Sequence, residues 1–455
     1  MSGTKSNLRR NSDPKSLSGF TLLKNLGDIK KNFVLAYYEL FQNYGDVLYF
    51  SWPIQSYLFF HPNDVKYILK DNFKNYKKSE TYKELYPLIG KGLVTSEGNF
   101  WRRNRRVVAP EFTLKKVVSY QGKIVSVTGN MLDDWENNIC KEVIKDISND
   151  VMQLVFQIAS EVLMGSDSKK LAPDVAQSLN YFMERFIKRV YSIIKLPDFI
   201  PTPGALRSKK SISKLDKIMQ KIIDLNRNSS SNDVNVLTRL MNAHYDDTNS
   251  RMNDKQLRDE IMTLMMAGHE TTGNAILWTC YLLGKHPNIQ EALYEEIDSV
   301  LGKRNPDNTD LENLQYNKMI ILEAMRLYPP VPGISRQSIA EDKIGNINIA
   351  PNTKVEVSMY VTHRHPEFWD DPEKFDPDRF SAKNLENKIP FTYFPFGGGD
   401  RACIGGDMAM LELQLIMTMI IQRFKIEISQ NFKTYPHPTI SLKPSNGVKV
   451  KLTAR

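Results

Sequence analysis

The sequence predicts a mainly α-helical fold with small β-sheets at one side, an α+β class. Three observations predict it. Residues 117–228 read as successive helices, broken at 165–169, 196–204 and 226–233. Residues 255–283 form one uninterrupted helical run, roughly 43 Å long at 1.5 Å per residue. Strand-like alternation is confined to short stretches within 47–60, 345–359 and 439–452.

Composition narrows the class. The 455 residues, 41% hydrophobic and 25% charged, hold enough apolar material for a large globular core. Cys140, Cys280 and Cys403 lie far apart and form no CxxC, which argues against a disulfide framework or a zinc site and fits a reducing compartment. The formal charge of +9 favours an acidic protein or an anionic surface as partner, and no nucleic-acid motif accompanies it.

In chain order, residues 1–31 are polar and basic (Lys5, Arg9, Arg10, Lys15, Lys24, Lys30, Lys31) without an apolar core segment. They predict a disordered tail, with neither a secretory signal nor a membrane anchor; Asp13 interrupts any transit-peptide pattern. Residues 32–43 space Phe33, Val34, Ala36, Tyr37, Leu40 and Phe41 as an amphipathic helix. Residues 47–52 and 56–60 predict a hairpin around Pro53, and 63–69 a short helix. Residues 73–99, with Gly90, Gly92 and Gly98, form a loop of a length that usually carries function.

In Trp101-Arg102-Arg103-Asn104-Arg105-Arg106 a helix places Trp101 and Arg105 on one face, where an indole N–H and a guanidinium converge on one anion; the alternative is a solvated basic face. The 196–204 break is apolar for a loop and is followed by Arg207, Lys209 and Lys210. Residues 196–210 are thus either packed on their own domain or a peripheral membrane contact.

The 255–283 helix opens with Asn253 or Asp254 as N-cap and stops at Gly284 and Pro287. A transmembrane reading fails on Glu270 at mid-segment, where a charge costs about 2.5–3.5 kcal/mol or more. A buried helix crossing a large domain fits better. Hydrogen bonds to i−4 carbonyls account for Thr271 and Thr272 but leave Glu270 without a reason. In 319–327, apolar neighbours all round the helix force Glu323 and Arg326 inside, and a buried ion pair must recruit further partners. Residues 345–359 and 439–452 predict hairpins around Pro351-Asn352 and Asn446-Gly447.

Between the extended run 390–395 and a helix beginning near Asp407 stands Phe396-Gly397-Gly398-Gly399-Asp400-Arg401-Ala402-Cys403-Ile404-Gly405. Glycines let a backbone pass close to a bulky partner, and the free N–H groups of a helix start favour a thiolate. Cys403 therefore reads as a ligand. A lone cysteine is otherwise a small buried hydrophobe, but core packing gives no reason for four glycines around it.

These residues resemble the haem-binding signature of the cytochrome P-450 superfamily, F-G-x-G-x-R-x-C-x-G, matched at Phe396, Gly397, Gly399, Arg401, Cys403 and Gly405. Trp101 and Arg105 match its W-x-x-x-R, Ala267-Gly268-His269-Glu270-Thr271-Thr272 its A-G-x-E-T-T, Glu323 and Arg326 its E-x-x-R, and Arg379 of Pro377-Asp378-Arg379-Phe380 the third member of that triad. The resemblance covers residues 32–455 and implies a single triangular helical haem domain there, with iron protoporphyrin IX as cofactor.

By resemblance, Cys403 is the axial ligand of the haem iron, and Trp101, Arg105, Arg336 and Arg401 hold the propionates. Phe396, Gly397, Gly405, Ala267 and Gly268 complete the cofactor cradle. Thr271 hydrogen-bonds the oxygen under activation, and Glu270 relays protons. His269, at the variable position, is structural. Glu323, Arg326 and Arg379 brace the cysteine loop, and Tyr86, Leu88, Ala267, Val331 and Pro332 line the substrate pocket.

The implied activity is monooxygenation: one atom of O2 enters a small hydrophobic substrate and the other leaves as water. No G-x-G-x-x-G and no spare length exist for a fused reductase. Electrons then come from a separate ferredoxin- or flavodoxin-type donor, with Arg102, Arg103 and Arg106 as a candidate docking patch. The motif variants look most like branches that hydroxylate long-chain fatty acids, while terpenoids and sterols stay open. A cytoplasmic monomer without a transmembrane anchor is expected. Two other readings remain: a peroxide-driven or hydroperoxide-rearranging haem enzyme, and a non-catalytic haem sensor. Glu270 and Thr271 stand against both.

Overall fold

The structure, a computed structural model, describes residues 15–16, 19–51, 55–138, 144–165, 202–228, 235–245, 249–386 and 388–455, with 175, 178, 179, 181, 182, 185, 186 and 189. Cys140 and most of the 166–201 stretch, including residues 196–201 of the apolar loop considered for membrane contact, lie outside them. Two compact units emerge: Met1–Thr81 with Arg326–Cys403 and Pro436–Pro438, and Tyr82–Met325 with Ile404–Tyr435 and Thr439–Arg455.

The first unit holds helix α1 (Gly19–Tyr44) and a six-stranded sheet. α1 starts at Gly19, inside the stretch expected to be a tail, and its backbone leaves helical geometry at Asn32 (φ −159°, ψ 86°). The amphipathic segment expected from residue 32 is thus its second half. The sheet comprises β1 (Lys15–Ser16), β2 (Val47–Phe50), β3 (Ser56–Phe59), β4 (Tyr76–Lys78), β5 (Gly333–Ser338) and β8 (Lys354–Ser358), in the order β1-β2-β3-β8-β5-β4. β2 and β3 form the expected hairpin, with Val47 opposite Phe59.

The hairpin expected around Pro351-Asn352 is different. β7 (Ile347–Ile349) folds back on β6 (Asp342–Ile344) across Gly345 (φ +58°), while β8 joins β3 and β5. Ser338 of β5 explains the parting: its hydroxyl donates to Ala350 O (2.7 Å) and accepts from Thr353 N (2.9 Å), tying the turn to β5. Phe59, Ile68, Leu69, Val355, Val357 and Phe394 form the core under this sheet.

The second unit is helical. It contains α2 (Tyr86–Ile89), α3 (Gly98–Val108), α4 (Gln121–Asn138), α5 (Ser148–Met164), α6 (Pro203–Asn228), α7 (Asp254–Lys285), most of α8 (Gln315–Leu327) and α9 (Gly406–Arg423). α7 starts as expected: the Asn253 side chain accepts from Gln256 N at 2.8 Å. It packs against α2, α5, α6 and α9. Its buried Asn274 amide donates to the Ser441 hydroxyl (2.8 Å), and its Trp278 indole N–H to Leu442 O (2.8 Å). Among the described residues no helix is long and apolar enough to cross a membrane.

The hairpin expected across Asn446-Gly447 is also corrected. Gly447 turns the chain (φ +65°), but strand β10 (Lys449–Ala454) pairs with β9 (Phe424–Glu427) and with Lys145–Asp146. Val448 N donates to Ser148 Oγ (2.9 Å) and Ile147 N to Val448 O (3.1 Å), so the turn is bound to the start of α5.

Candidate functional site

In the first unit the site is built around the cysteine loop. Phe394 and Phe396 carbonyls accept from Gly397 N (2.9 Å) and Cys403 N (2.8 Å), closing the loop on itself. Gly397 (φ +74°) and Gly399 (φ +66°) occupy backbone conformations that favour glycine. A Cβ on Gly399 would lie 2.2 Å from the Leu69 carbonyl oxygen, so the loop lies directly on the neighbouring backbone. Cys403 is exposed, unlike the fully buried Cys280, whose thiol burial pushes up to about 12. The core-hydrophobe reading thus fits Cys280 and fails for Cys403. Helix α9 follows from Gly406, with Gly405 as N-cap, one residue from the expected start.

The loop is braced from behind. Arg326 is fully buried and donates to the carbonyls of His363 (2.9 Å), Pro372 (2.8 Å) and Lys374 (3.1 Å). Arg379 donates to Asp371 O (3.0 Å). His363 Nε2 in turn accepts from Phe394 N (2.9 Å), whose carbonyl holds Gly397. Hydrogen bonds therefore run from Arg326 to the glycine loop, and both arginines grip the 371–374 segment. Glu323, one turn before Arg326 on α8, is also buried. Arg336 is buried in β5 and donates to Ser335 O (3.1 Å); Arg401 is half-buried on the turn Gly399–Arg401. Pro332 is buried and its carbonyl accepts from Tyr360 N (3.2 Å), while Val331 is half-buried against the sheet core.

In the second unit the site is a window in α7. From Asp259 to Cys280 every residue of this helix is buried except Ala267, Gly268, Glu270 and Thr271. The uncovered residues belong to one six-residue motif, and a Cβ on Gly268 would meet nothing within 4 Å. A flat group can lie against that face. Thr271 Oγ1 donates to Ala267 O (2.6 Å), the i−4 bond expected for a helical threonine, which leaves its lone pairs to accept from the open side.

Glu270, unexplained from sequence, accepts from Thr439 Oγ1 (3.2 Å). Thr439 lies 169 positions away, so no local pattern could have found it. His269 turns inward: its Nδ1 lies 3.0 Å from Met265 O, its ring meets Phe156 edge-on, and burial lowers its pKa from 6.5.

Trp101 is buried on α3 with the Arg105 guanidinium 6.0 Å from its ring, so the expected pair does share a face. The surface reading holds for the exposed Arg102 and Arg106 and is corrected for Arg103. Its guanidinium stacks 4.1 Å over Tyr245, which gives a weakly hydrated cation an aromatic seat. Tyr86 is 41% exposed, whereas Leu88 is covered completely by protein atoms, because α2 packs on α7; Leu88 is a packing residue. Among the described residues no cluster of three or more His, Cys, Asp or Glu side chains could hold a metal ion.

Residues 13–452 match the Cytochrome P450 family. The chain is 31% identical over 451 residues to Protein LUTEIN DEFICIENT 5, chloroplastic, of Arabidopsis thaliana, covering 93% of this chain and 74% of that protein. It is 29% identical over 375 residues to cyclooctat-9-en-7-ol 5-monooxygenase of Streptomyces melanosporofaciens, covering 82% and 81%. Among solved structures, the cytochrome P450DA heme domain superposes with a TM-score of 0.84 at 24% identity, covering 93% of each chain.

Proposed function

This chain belongs to the cytochrome P450 family and is a haem-dependent, oxygen-incorporating oxidoreductase, and we propose that the residues just described carry that chemistry on a small hydrophobic substrate. The donor set fits haem: one exposed thiol on a glycine loop, an uncovered small-residue face on α7, and cationic side chains for two carboxylates. Cys403 would hold the iron, and Trp101, Arg105, Arg336 and Arg401 the propionates, with Phe396, Gly397 and Gly405 shaping the cradle. When bound, haem supplies the oxygen-activating redox chemistry, which thiolate donation from Cys403 favours.

The chain's own residues handle protons and position. Thr271 offers a hydroxyl acceptor on the open face, held in one rotamer by Ala267 O. Glu270 holds or gives up a proton beside it, steadied by the Thr439 hydroxyl. Ala267 and Gly268 keep the face flat. Arg326 and Arg379 hold the segment behind the cysteine loop, and Glu323 is assigned to the same triad on its E-x-x-R spacing from Arg326. Tyr86, Val331 and Pro332 contact the substrate. Electrons arrive from a separate ferredoxin- or flavodoxin-type donor that docks by charge, with Arg102 and Arg106 in its footprint.

The substrate reading is a long-chain fatty acid or a comparable lipid, with a terpenoid-sized ring system as the alternative that the relative named for cyclooctat-9-en-7-ol supports. The protein acts as a cytoplasmic monomer. The observation that carries the reading is the window in α7, where the span from Asp259 to Cys280 uncovers only oxygen-motif residues. The test is the absorbance of the reduced, carbon monoxide-treated protein. A red-shifted thiolate Soret band is expected, lost in Cys403→Ala; its absence from the unaltered protein overturns the assignment. Thr271→Ala should then lower product formed per O2 consumed, and unchanged coupling would remove the proton role.

A further inference from the structure

We propose that Asp259 and Glu260 are positioning residues that latch the backbone of loop 90–96 onto α7 and thereby set which substrates reach the oxygen-motif face. The proposal rests on the haem-enzyme reading for its functional half; the latch itself stands on geometry within one unit.

Two consecutive carboxylates, both buried, project from α7 two turns before its open window. Asp259 Oδ2 accepts from Lys91 N (3.0 Å) and Glu260 Oε2 from Leu93 N (3.0 Å). The two donors are alternate amides of one loop strand, so the acids clamp main chain and not side chains. Asp259 is also balanced by Lys255 (2.8 Å) and Arg258 (3.1 Å), and Glu260 accepts from the Gln256 amide (2.8 Å). Each buried carboxylate is thus hydrogen-bonded from its own helix and from the loop, as a buried polar group requires.

The loop is shaped to fit. Gly90 has φ +51°, and a Cβ there would lie 2.1 Å from the Asp259 carboxylate; one on Gly92 would lie 2.0 Å from Thr263 Oγ1. Thr95 Oγ1 donates to Gly90 O (2.7 Å) and Gly92 O (3.2 Å), closing the loop into a compact turn. The Tyr86 hydroxyl reaches Thr95 O (3.5 Å) from the short helix that leads in. Asp259 and Ala267 are eight residues apart on α7, which places the clamp roughly 12 Å along the helix axis from the window. A loop fixed there, carrying the exposed Tyr86 beside it, bounds the approach to the open face.

A general stabilising role and a specificity role separate experimentally. Asp259→Ala and Glu260→Ala are made in the haem-loaded enzyme, with Gly92→Ala as a variant that keeps both acids and displaces the loop sterically. Glu260→Gln, which retains one acceptor oxygen, is the conservative comparison. Hydrogen exchange at the Lys91 and Leu93 amides is read alongside haem content, the reduced carbon monoxide spectrum, and Soret titrations with imidazole and 1-dodecylimidazole.

The expected result is faster exchange at those two amides, retained haem, and a change of about tenfold in the ratio of the two dissociation constants, with Glu260→Gln intermediate. Unchanged exchange overturns the latch. Faster exchange with an unchanged ratio overturns the specificity role. A missing thiolate band in the unaltered protein strikes the haem reading instead, and the exchange result still decides the latch.

Discussion

Glu412 makes stability depend on pH in a direction opposite to that of most carboxylates. It lies on α9 and is buried, and the Thr272 side chain of α7 is its hydrogen-bond partner. Burial in this apolar surrounding pushes its pKa up from 4.5 to about 8, and the Thr272 bond only partly offsets that. Below pH 4.5 the folded and unfolded chains both hold the proton, and the group is neutral in its effect. Between 4.5 and about 8 the folded state binds more protons than the unfolded one, so stability falls as pH rises. Above about pH 8 the loss is complete, with an upper bound of about 5 kcal/mol at 1.36 kcal/mol per pH unit.

Glu412→Gln keeps the shape and an acceptor for Thr272 while removing the titration. Urea denaturation of the haem-loaded protein, followed by tryptophan fluorescence at pH 6.0 and 8.5, measures the effect. The stability of the variant relative to the unaltered protein should rise by roughly 2–3 kcal/mol between those two pH values. Parallel stability curves across that interval would refute a buried, proton-holding Glu412, whatever the absolute stabilities.

Gly399→Ala adds a Cβ 2.2 Å from the Leu69 carbonyl at φ +66°; it should cost about 1–3 kcal/mol and lower the haem-to-protein ratio, both read from a purified sample. Thr439→Val removes the hydroxyl that donates to Glu270 and should reduce product per electron by up to about tenfold while substrate affinity holds, measured as coupling efficiency. Reversing Arg102 and Arg106 to Glu should raise the KM for the electron donor and weaken its dependence on salt. Arg103→Leu, which removes a cation from the face of Tyr245, should instead lower the melting temperature and leave that KM unchanged.

What could be read in the sequence follows from how local each feature is. The cysteine loop, the start of α7 at Asn253 and the Trp101/Arg105 face depend on neighbours within a helical turn or a ten-residue loop, and each falls where the residue pattern placed it. The two C-terminal hairpins did not, although Asn352 and Gly447 do turn the chain with positive φ. A turn signal specifies that the chain reverses, not which strand it then meets. Ser338, twelve residues back from Ala350, and Ser148, 300 positions from Val448, decide the pairing. The same holds for the carboxylates: Glu270 looks like a misplaced charge in an apolar helix until Thr439 supplies a hydrogen bond, and the donors to Asp259 and Glu260, Lys91 N and Leu93 N, lie 168 and 167 positions away. A carboxylate on a largely covered helix is therefore a pointer to a distant donor, since a covered acid left unpaired is costly. In α7 those pointers cluster along one helix, at the loop latch and at the oxygen motif, which is why one residue run carries both the chemistry and the boundary of its approach.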